Sequence, residues 1–184
     1  EKIETKASSV TDMIKKLADK NLANYVKYQG VSLTNEGRLA AALVIRKHRL
    51  WEVFLVNNLN YAWDEVHDLA EQLEHIKSDT LIDKLEEYLE FPTHDPHGDP
   101  IPDKDGNIDY QESKVPLSEI SIDAIVEVVQ VNEDSFELLQ YLDQINLSLG
   151  SSIKVTERVA FDESIMIELD DKHKLSLSKK VAEN

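Results

Sequence analysis

The sequence predicts a multidomain α+β protein that consists of a winged helix-turn-helix domain, a helical domain and a small β-barrel. Apolar residues recur at helical spacing to about residue 89, apart from one short stretch of alternation around Gly30. Four of the five prolines lie between Phe91 and Ser113, which is typical of a linker. After Val115, apolar and polar residues alternate as in β-strands. We therefore expect domains at residues 1–45, 46–113 and 114–184.

The first domain is predicted from a change of period. Ser8 or Ser9 can cap a short amphipathic helix whose apolar positions follow helical spacing. The alternating residues on either side of Gln29-Gly30 then favour a small hairpin, which would be the wing. Thr34 is the expected cap of a long helix that runs to about residue 58.

The remaining elements follow from caps and composition. Residues 64–77 and 79–89 read as two further helices, with Asp64 and Ser78 as their caps. In the last domain, strand-like segments surround the helix-like segment DSFELLQYLDQI, which predicts a β-barrel of about seventy residues.

Composition excludes several classes of function. The chain has no cysteine, so it has neither a disulfide framework nor a thiolate metal site. No apolar stretch is long enough to span a bilayer and the first residues do not resemble a signal peptide, so we expect a cytoplasmic protein without a membrane partner. Glycine-rich phosphate loops, Gly-x-Ser-x-Gly elbows and His-Glu-x-x-His motifs are also absent, which argues against the corresponding enzymes.

Charge separates the first fifty residues from the rest. The net charge of the chain is −16, but residues 1–50 carry +5 and residues 51–184 carry −21. A basic helix and wing could meet DNA phosphates and base edges, whereas the alternative is a solvated helix beside an ordinary hairpin. The candidate DNA-contacting residues are Lys6, Ser8, Ser9, Thr11, Asp12, Lys15, Lys16, Lys27 and Gln29.

Two sets of histidine and carboxylate residues predict a metal centre. His67, Glu71, Glu74 and His75 would project from one face of a helix, and His48 and Glu52 stand four residues apart on the preceding helix. Such ligands suit Mn(II), Fe(II), Co(II) or Zn(II). Two alternatives remain open at this point, namely a solvated acidic face and a helical di-metal enzyme or metal-storage protein.

The segment Asp103–Asp109 resembles the opening of a calcium loop but has Lys114 where a bidentate glutamate belongs, so we interpret it as linker.

The residues also match a known family. The stretch RKHRLWEVFLVNNLNYAWDEVHDLAEQLEHIKSDTLIDKLEEYLEFPTHDPHGDPIP, residues 46–102, resembles the diphtheria toxin repressor family of iron- and manganese-dependent regulators, including the manganese transport regulators. The resemblance extends to a recognition helix and wing on one side and to a C-terminal SH3-like domain on the other. It implies a homodimeric repressor, not an enzyme, that senses Mn(II) or Fe(II), binds a palindromic operator in double-stranded DNA and controls metal-homeostasis genes.

The resemblance also assigns ligands. It places His48, Glu52 and His67 in an ancillary site and Glu71, Glu74 and His75 in the primary site, with Asp134 and Glu137 of the SH3-like domain added to the ancillary one. Two ions per subunit are then expected, with Zn(II) or Co(II) as surrogates and no small-molecule substrate. Iron-responsive members often have cysteine where this chain has Glu71, and a carboxylate favours Mn(II).

The N-terminus departs from the family pattern. Family members begin with an extra helix that carries further primary-site ligands, followed by the first helix of the helix-turn-helix. In this sequence Glu1-Lys2-Ile3 resembles the end of that positioning helix. The winged helix-turn-helix and the primary site are therefore predicted to be incomplete at the N-terminus.

Overall fold

The elements of the chain form two units in a computed structural model that describes residues 7–26, 28–109, 114–132, 135–169 and 173–184. The first unit contains the residues up to Lys47 together with Pro102–Ile108. The second contains His48–Ile101 and the residues from Asp109 onward.

In the first unit, helix α1 (Ala7–Asp19) precedes an antiparallel hairpin of strands β1 (Ala23–Val26) and β2 (Gly30–Leu33). The hairpin leads into helix α2 (Asn35–Leu59), whose first half belongs to this unit. The short helix, the hairpin and the long helix predicted from the sequence are confirmed. Together α1 and the hairpin form the helix and wing of a winged helix.

Local chemistry explains where α1 ends and α2 begins. The chain leaves α1 at Asn21, which adopts a left-handed backbone (φ 59°) that asparagine tolerates. The Thr34 hydroxyl donates a hydrogen bond to the carbonyl of Asn21 and accepts one from the backbone N–H of Gly37, so the predicted cap is confirmed. Gly37 has no substitute here, because a Cβ atom would lie 1.9 Å from the carbonyl oxygen of Leu22.

The linker residues Pro102–Ile108 belong to the first unit. Asp103 accepts hydrogen bonds from the backbone N–H groups of Asp105 and Asn107, which closes a tight turn. Gly106 packs on the first half of α2, where an added Cβ would lie 2.8 Å from Leu39 Cδ1 and 3.3 Å from Ala42 Cβ. The prediction of a segment without helix or strand is confirmed for the described residues from Phe91 to Asp109.

In the second unit, the remainder of α2 is followed by helices α3 (His67–Leu73) and α4 (Asp79–Tyr88). The predicted cap Ser78 is confirmed, because its hydroxyl accepts from the N–H of Leu81 at 3.3 Å. Helix α4 packs on α2 through an apolar core that contains Leu50, Ile82 and Leu85.

The prediction for residues 64–77 was wrong in its bounds and its cap. Helix α3 has only seven residues, and Val66 precedes it without any side-chain cap. Trp63 instead reaches the C-terminal domain, where its indole N–H donates to Asp143 Oδ1 at 3.0 Å, and this contact holds the chain before α3 in a turn. Tertiary contacts outweigh helix propensity here.

The C-terminal part forms the predicted small β-domain. Strands β3 (Ile125–Glu127), β4 (Ser152–Arg158), β5 (Ile165–Leu169) and β6 (His173–Leu177) make an antiparallel sheet in that order. Helix α5 (Phe136–Gln144), capped by Ser135, lies between β3 and β4 in the chain, and the short helix α6 (Lys179–Ala182) follows β6. Their apolar residues share one core with the inward side chains of β4 and β5. Within the described residues, no helix is long and apolar enough to cross a membrane.

Candidate metal centre

Glu52 lies close to two of the other predicted ligands, His48 and His67. One helical turn of α2 separates it from His48, whose Nε2 is 3.1 Å from Glu52 Oε1. His67 is the first residue of α3, and its Nδ1 lies 3.7 Å from the same oxygen. One ligand atom from each of these three residues lies within 4.8 Å of the other two. We call His48, Glu52 and His67 the first ligand group.

A second group, not predicted from the sequence, shares Glu52. It consists of Glu52, Asp95 and His97, and all three residues are buried. His97 Nδ1 lies 3.9 Å from Glu52 Oε2, the carboxylate oxygen that does not face His48. The signal was present in the segment THDPHGDP, where histidines and aspartates alternate with proline, but the prolines favoured a linker. We call these residues the second ligand group.

The imidazole of His97 is held in one orientation. Its Nε2–H donates to the carbonyl of Trp63 at 2.9 Å, and its ring stacks on the Trp63 indole at a centroid distance of 5.9 Å. A neutral histidine that donates from Nε2 has its lone pair on Nδ1, the atom that faces Glu52. This arrangement suits a ligand nitrogen, because the partner of the remote N–H fixes the tautomer.

Arg49 anchors the turn that carries His97. Its Nε lies 3.2 Å from Asp95 Oδ2 and its Nη2 lies 3.2 Å from Asp99 Oδ2. The other oxygen of Asp95 accepts from the backbone N–H groups of His97 and Asp99, both at 2.9 Å. The turn is thus tied to α2 beside Glu52.

Burial and hydrogen bonding have opposite effects on the pKa of Glu52, a residue that is only 2% exposed. Burial raises the pKa of its carboxyl group. The hydrogen bond from His48, the nearby imidazole of His67 and the positive charge of His48 outweigh burial and lower that pKa to about 2. The carboxylate is therefore ionised at any physiological pH, as a metal ligand must be.

His48 bridges two carboxylates. Its Nδ1 lies 2.8 Å from Glu74 Oε2, while its Nε2 faces Glu52. Burial lowers the pKa of the imidazole, but the bonds and charges of Glu52 and Glu74 raise it above its ordinary value. The protonated ring bridges the carboxylates through its two N–H groups, and the proton on either nitrogen would have to leave before that nitrogen could bind a metal ion.

The other predicted ligands are placed differently. Glu74 is half-buried beside His48, whereas Glu71 and His75 are exposed at the end of α3 and join no ligand group among the described residues. Glu137 is exposed in the first turn of α5 and joins neither group. Asp134 lies outside the described residues.

The candidate DNA-contacting residues lie on α1 and at the hairpin. Ser9, Asp12, Lys15, Lys16 and Gln29 are exposed. Asp12 pairs with Lys15 at 3.6 Å, one turn along α1. Thr11 is half-buried on the same helix, and Ser8 belongs to it as well. Lys6, Lys27 and the side chain of Ser8 lie outside the described residues.

Comparison with known proteins covers nearly the whole chain. The family described as "Iron dependent repressor, metal binding and dimerisation domain" matches residues 34–103, and the FeoA domain matches residues 115–184. A solved manganese-dependent transcriptional repressor in complex with manganese is 38% identical, with a TM-score of 0.88. The alignment covers 98% of this chain and 84% of that one.

Two curated relatives of different kinds are similar to this chain. The diphtheria toxin repressor of Corynebacterium diphtheriae is 28% identical over 169 residues, which cover 86% of this chain and 74% of that protein. A probable metal transport system membrane protein of Chlamydia trachomatis is 42% identical over 86 residues, or 47% of this chain. The chain spans about a fifth of the length of this second relative (19%).

A chain that contains both a histidine–carboxylate centre and a helix and wing fits the class of metal-dependent regulators, and the relatives belong to that class rather than to the enzymes. More particularly, the chain belongs to the family of iron- and manganese-dependent transcriptional repressors that includes the diphtheria toxin repressor. The alternative of a di-metal enzyme or storage protein receives no support from these relatives.

Proposed function

We propose that the protein is a metal-activated transcriptional repressor in which Mn(II) or Fe(II) raises the affinity of a homodimer for a palindromic operator in DNA. The observation that carries the proposal is Glu52, a buried carboxylate that is shared by two groups of possible ligands. Oxygen and imidazole nitrogen donors without thiolate suit these ions, and Zn(II) or Co(II) could act as surrogates.

The proposed metal-binding residues are the two ligand groups together with Glu71, Glu74 and His75. Because Glu52 presents one oxygen to each group, two ions per subunit could share it. A bound ion supplies positive charge to residues 51–184, which carry −21. That charge lowers the repulsion between this part of the chain and DNA phosphates.

The protein residues have separate tasks in this proposal. Trp63 and Arg49 orient His97 and its turn, and Glu74 holds the His48 ring beside Glu52, where its Nε2 would serve as a ligand once deprotonated. Metal can favour DNA binding only if it binds the DNA-competent form more tightly than the other form. Lys15 and Lys16 on α1 would meet the phosphates. Exposed apolar residues at the end of α4, including Tyr88 and Phe91, would contribute to the dimer contact.

The test measures DNA affinity as a function of metal. The full-length protein is stripped with a chelator and titrated onto fluorescent DNA from its own promoter, with and without Mn(II), Fe(II) or Zn(II). We expect Mn(II) to strengthen binding and His97→Ala to weaken that response, since it removes a ligand of the second group. His173→Ala is the matched control, because His173 is an exposed histidine at the start of β6 that belongs to neither group. Binding that does not depend on metal, or no binding at all, would contradict the proposal.

We also propose that the protein acts in the cytoplasm, where an operator in DNA is accessible to it.

A further inference from the structure

Trp63 connects one of the proposed metal ligands to the C-terminal domain. Its backbone carbonyl accepts a hydrogen bond from Nε2–H of His97 at 2.9 Å, and its indole stacks on the imidazole with an angle of 19° between the ring planes. The indole N–H donates to Oδ1 of Asp143, a residue in the last turn of α5, at 3.0 Å. One residue therefore contacts both the ligand imidazole and a helix of the C-terminal domain.

The C-terminal domain also holds the backbone of His97. The N–H of Val131 donates to the carbonyl of His97 at 3.0 Å. The next residue, Gly98, has a left-handed backbone (φ 87°), and a Cβ atom there would lie 2.1 Å from the carbonyl oxygen of Val129. Only glycine permits so close an approach of two backbones. The C-terminal domain thus fixes the backbone of His97, while Trp63 fixes its imidazole.

A space-filling role explains only part of what Trp63 contacts. Its ring packs against the apolar core of the C-terminal domain, which is the simpler reason for an aromatic residue at this position. Rotation of an indole about its second side-chain torsion is only weakly restricted, however, so packing leaves its orientation loosely defined. The hydrogen bond to Asp143 restricts this rotation, and the imidazole of His97 stacks on the ring so restricted. Partners of this kind set the tautomer and the orientation of ligand histidines.

We propose that Trp63 is a positioning residue that makes metal binding by His97 depend on Asp143 in the C-terminal domain. The inference rests on the proposed function, because it assumes that His97 is a metal ligand. The bond with Asp143 holds the indole in place, and the carbonyl of Trp63 holds Nε2–H of the imidazole, so that Nδ1 keeps its lone pair towards Glu52. Without Asp143 the imidazole can turn away from Glu52, and the second ligand group then binds metal more weakly.

The experiment measures the affinity of the metal-stripped, full-length protein for Mn(II) by isothermal titration calorimetry. Asp143→Ala, which removes the acceptor, is expected to weaken binding by about tenfold, as is usual when a ligand histidine loses part of its support. Trp63→Phe, which keeps an aromatic ring and removes the N–H, should weaken binding by a similar factor. Asp143→Asn keeps an oxygen that can accept from the indole, so its affinity should stay close to the wild-type value. If Asp143→Asn lost as much affinity as Asp143→Ala, the charge of Asp143 and not its hydrogen bond would be responsible, and the inference would be overturned.

A double-mutant cycle separates positioning of His97 from a general loss of stability. If Asp143 acts through His97, Asp143→Ala should have no further effect on Mn(II) affinity in a protein that already carries His97→Ala. An equal effect in both backgrounds would overturn the inference, because Asp143 would then act on other ligands or on the whole domain. Gln144→Ala is the matched control and should bind Mn(II) as the wild type does. Gln144 is the exposed neighbour of Asp143 on α5, and its replacement leaves the bond between the indole and Asp143 in place.

The orientation of the imidazole can also be measured without metal. Nuclear magnetic resonance of the metal-free protein with isotope-labelled histidine, at a pH where the ring is neutral, should show His97 as a single tautomer protonated at Nε2. The His97 signals are identified by their loss in His97→Ala. Asp143→Ala should average the two tautomers, whereas Asp143→Asn should not.

Two kinds of failure are distinguishable in these measurements. An unchanged Mn(II) affinity of Asp143→Ala, or an unchanged single tautomer in that variant, would overturn the inference and leave the proposed function intact. Absence of metal-dependent DNA binding in the wild-type protein would instead defeat the proposed function. The tautomer of His97 would still decide in that case whether Trp63 and Asp143 position the ring.

Discussion

Replacement of Glu52 by glutamine should destabilise the metal-free protein, and the size of the effect should depend on pH. Glutamine has the shape of a protonated glutamate, so Glu52→Gln removes the charge and leaves the volume. The ordinary pKa of this carboxyl group is 4.5 and its pKa in the folded protein is about 2. This difference corresponds to a contribution of roughly 3 kcal/mol from the Glu52 charge to the free energy of unfolding. The side chain is only 3% exposed, so screening by solvent reduces this figure little.

The pH dependence follows from two opposite shifts. The lowered pKa of Glu52 gives stability that is present above about 4.5 and is lost as the pH falls towards 2. The raised pKa of His48 gives stability that is complete below its ordinary value of 6.5 and is lost as the pH rises through the higher folded value. The substitution should therefore have its full effect near pH 6 and a clearly smaller effect near pH 9.

Urea denaturation followed by tryptophan fluorescence measures this effect in the right part of the chain. The two tryptophans, Trp51 and Trp63, both lie in the second unit with Glu52. Glu71→Gln is the matched control, since Glu71 is exposed and its loss should change stability by less than about 0.5 kcal/mol. If Glu52→Gln were as stable as the wild type at pH 6, or if the loss did not shrink at pH 9, the charge network assigned to Glu52 would be wrong.

Two further predictions concern the linker and the metal preference. Gly106→Val should lower the free energy of unfolding of the first unit by roughly 1–3 kcal/mol. The backbone at Gly106 is left-handed (φ 79°), and the new Cβ would lie 2.8 Å from Leu39 Cδ1. Limited proteolysis should therefore cleave the variant near the linker sooner than the wild type. Unchanged proteolysis would refute the assigned packing. Glu71→Cys should shift the metal response from Mn(II) towards softer ions such as Zn(II), measured by titrating each metal against DNA affinity. An unchanged order of metals would show that Glu71 does not set the preference.

The candidate metal centre shows which contacts a local sequence pattern can predict and which it cannot. The pair His48 and Glu52 follows directly from helical spacing, since residues four apart share a face. The same rule placed Glu71, Glu74 and His75 on one helical face with His67. Helix α3 ends at Leu73, however, so helical spacing does not apply to Glu74 and His75. At this end of α3, Glu74 bonds instead with His48, a residue 26 positions earlier.

His97 illustrates the opposite error. Prolines on both sides predicted a linker, and the segment indeed has no helix or strand. Yet the turn is buried and ordered by its own Asp95 and by Arg49 and Trp63, which come from two other parts of the chain. Composition describes the local backbone of such a segment but not its burial, because burial depends on residues that are distant in sequence.

The sequence alone determined the class of fold, the winged helix and its caps, the helical pair His48 and Glu52, and the kind of metal that the donor atoms suit. Each of these depends on interactions within a few residues or on composition. Only the tertiary structure decided that Glu52 is shared by two ligand groups and that His97 belongs to one of them. The physical reason is that a buried carboxylate stays charged only where donors from separate segments converge on it, and no local pattern records that convergence.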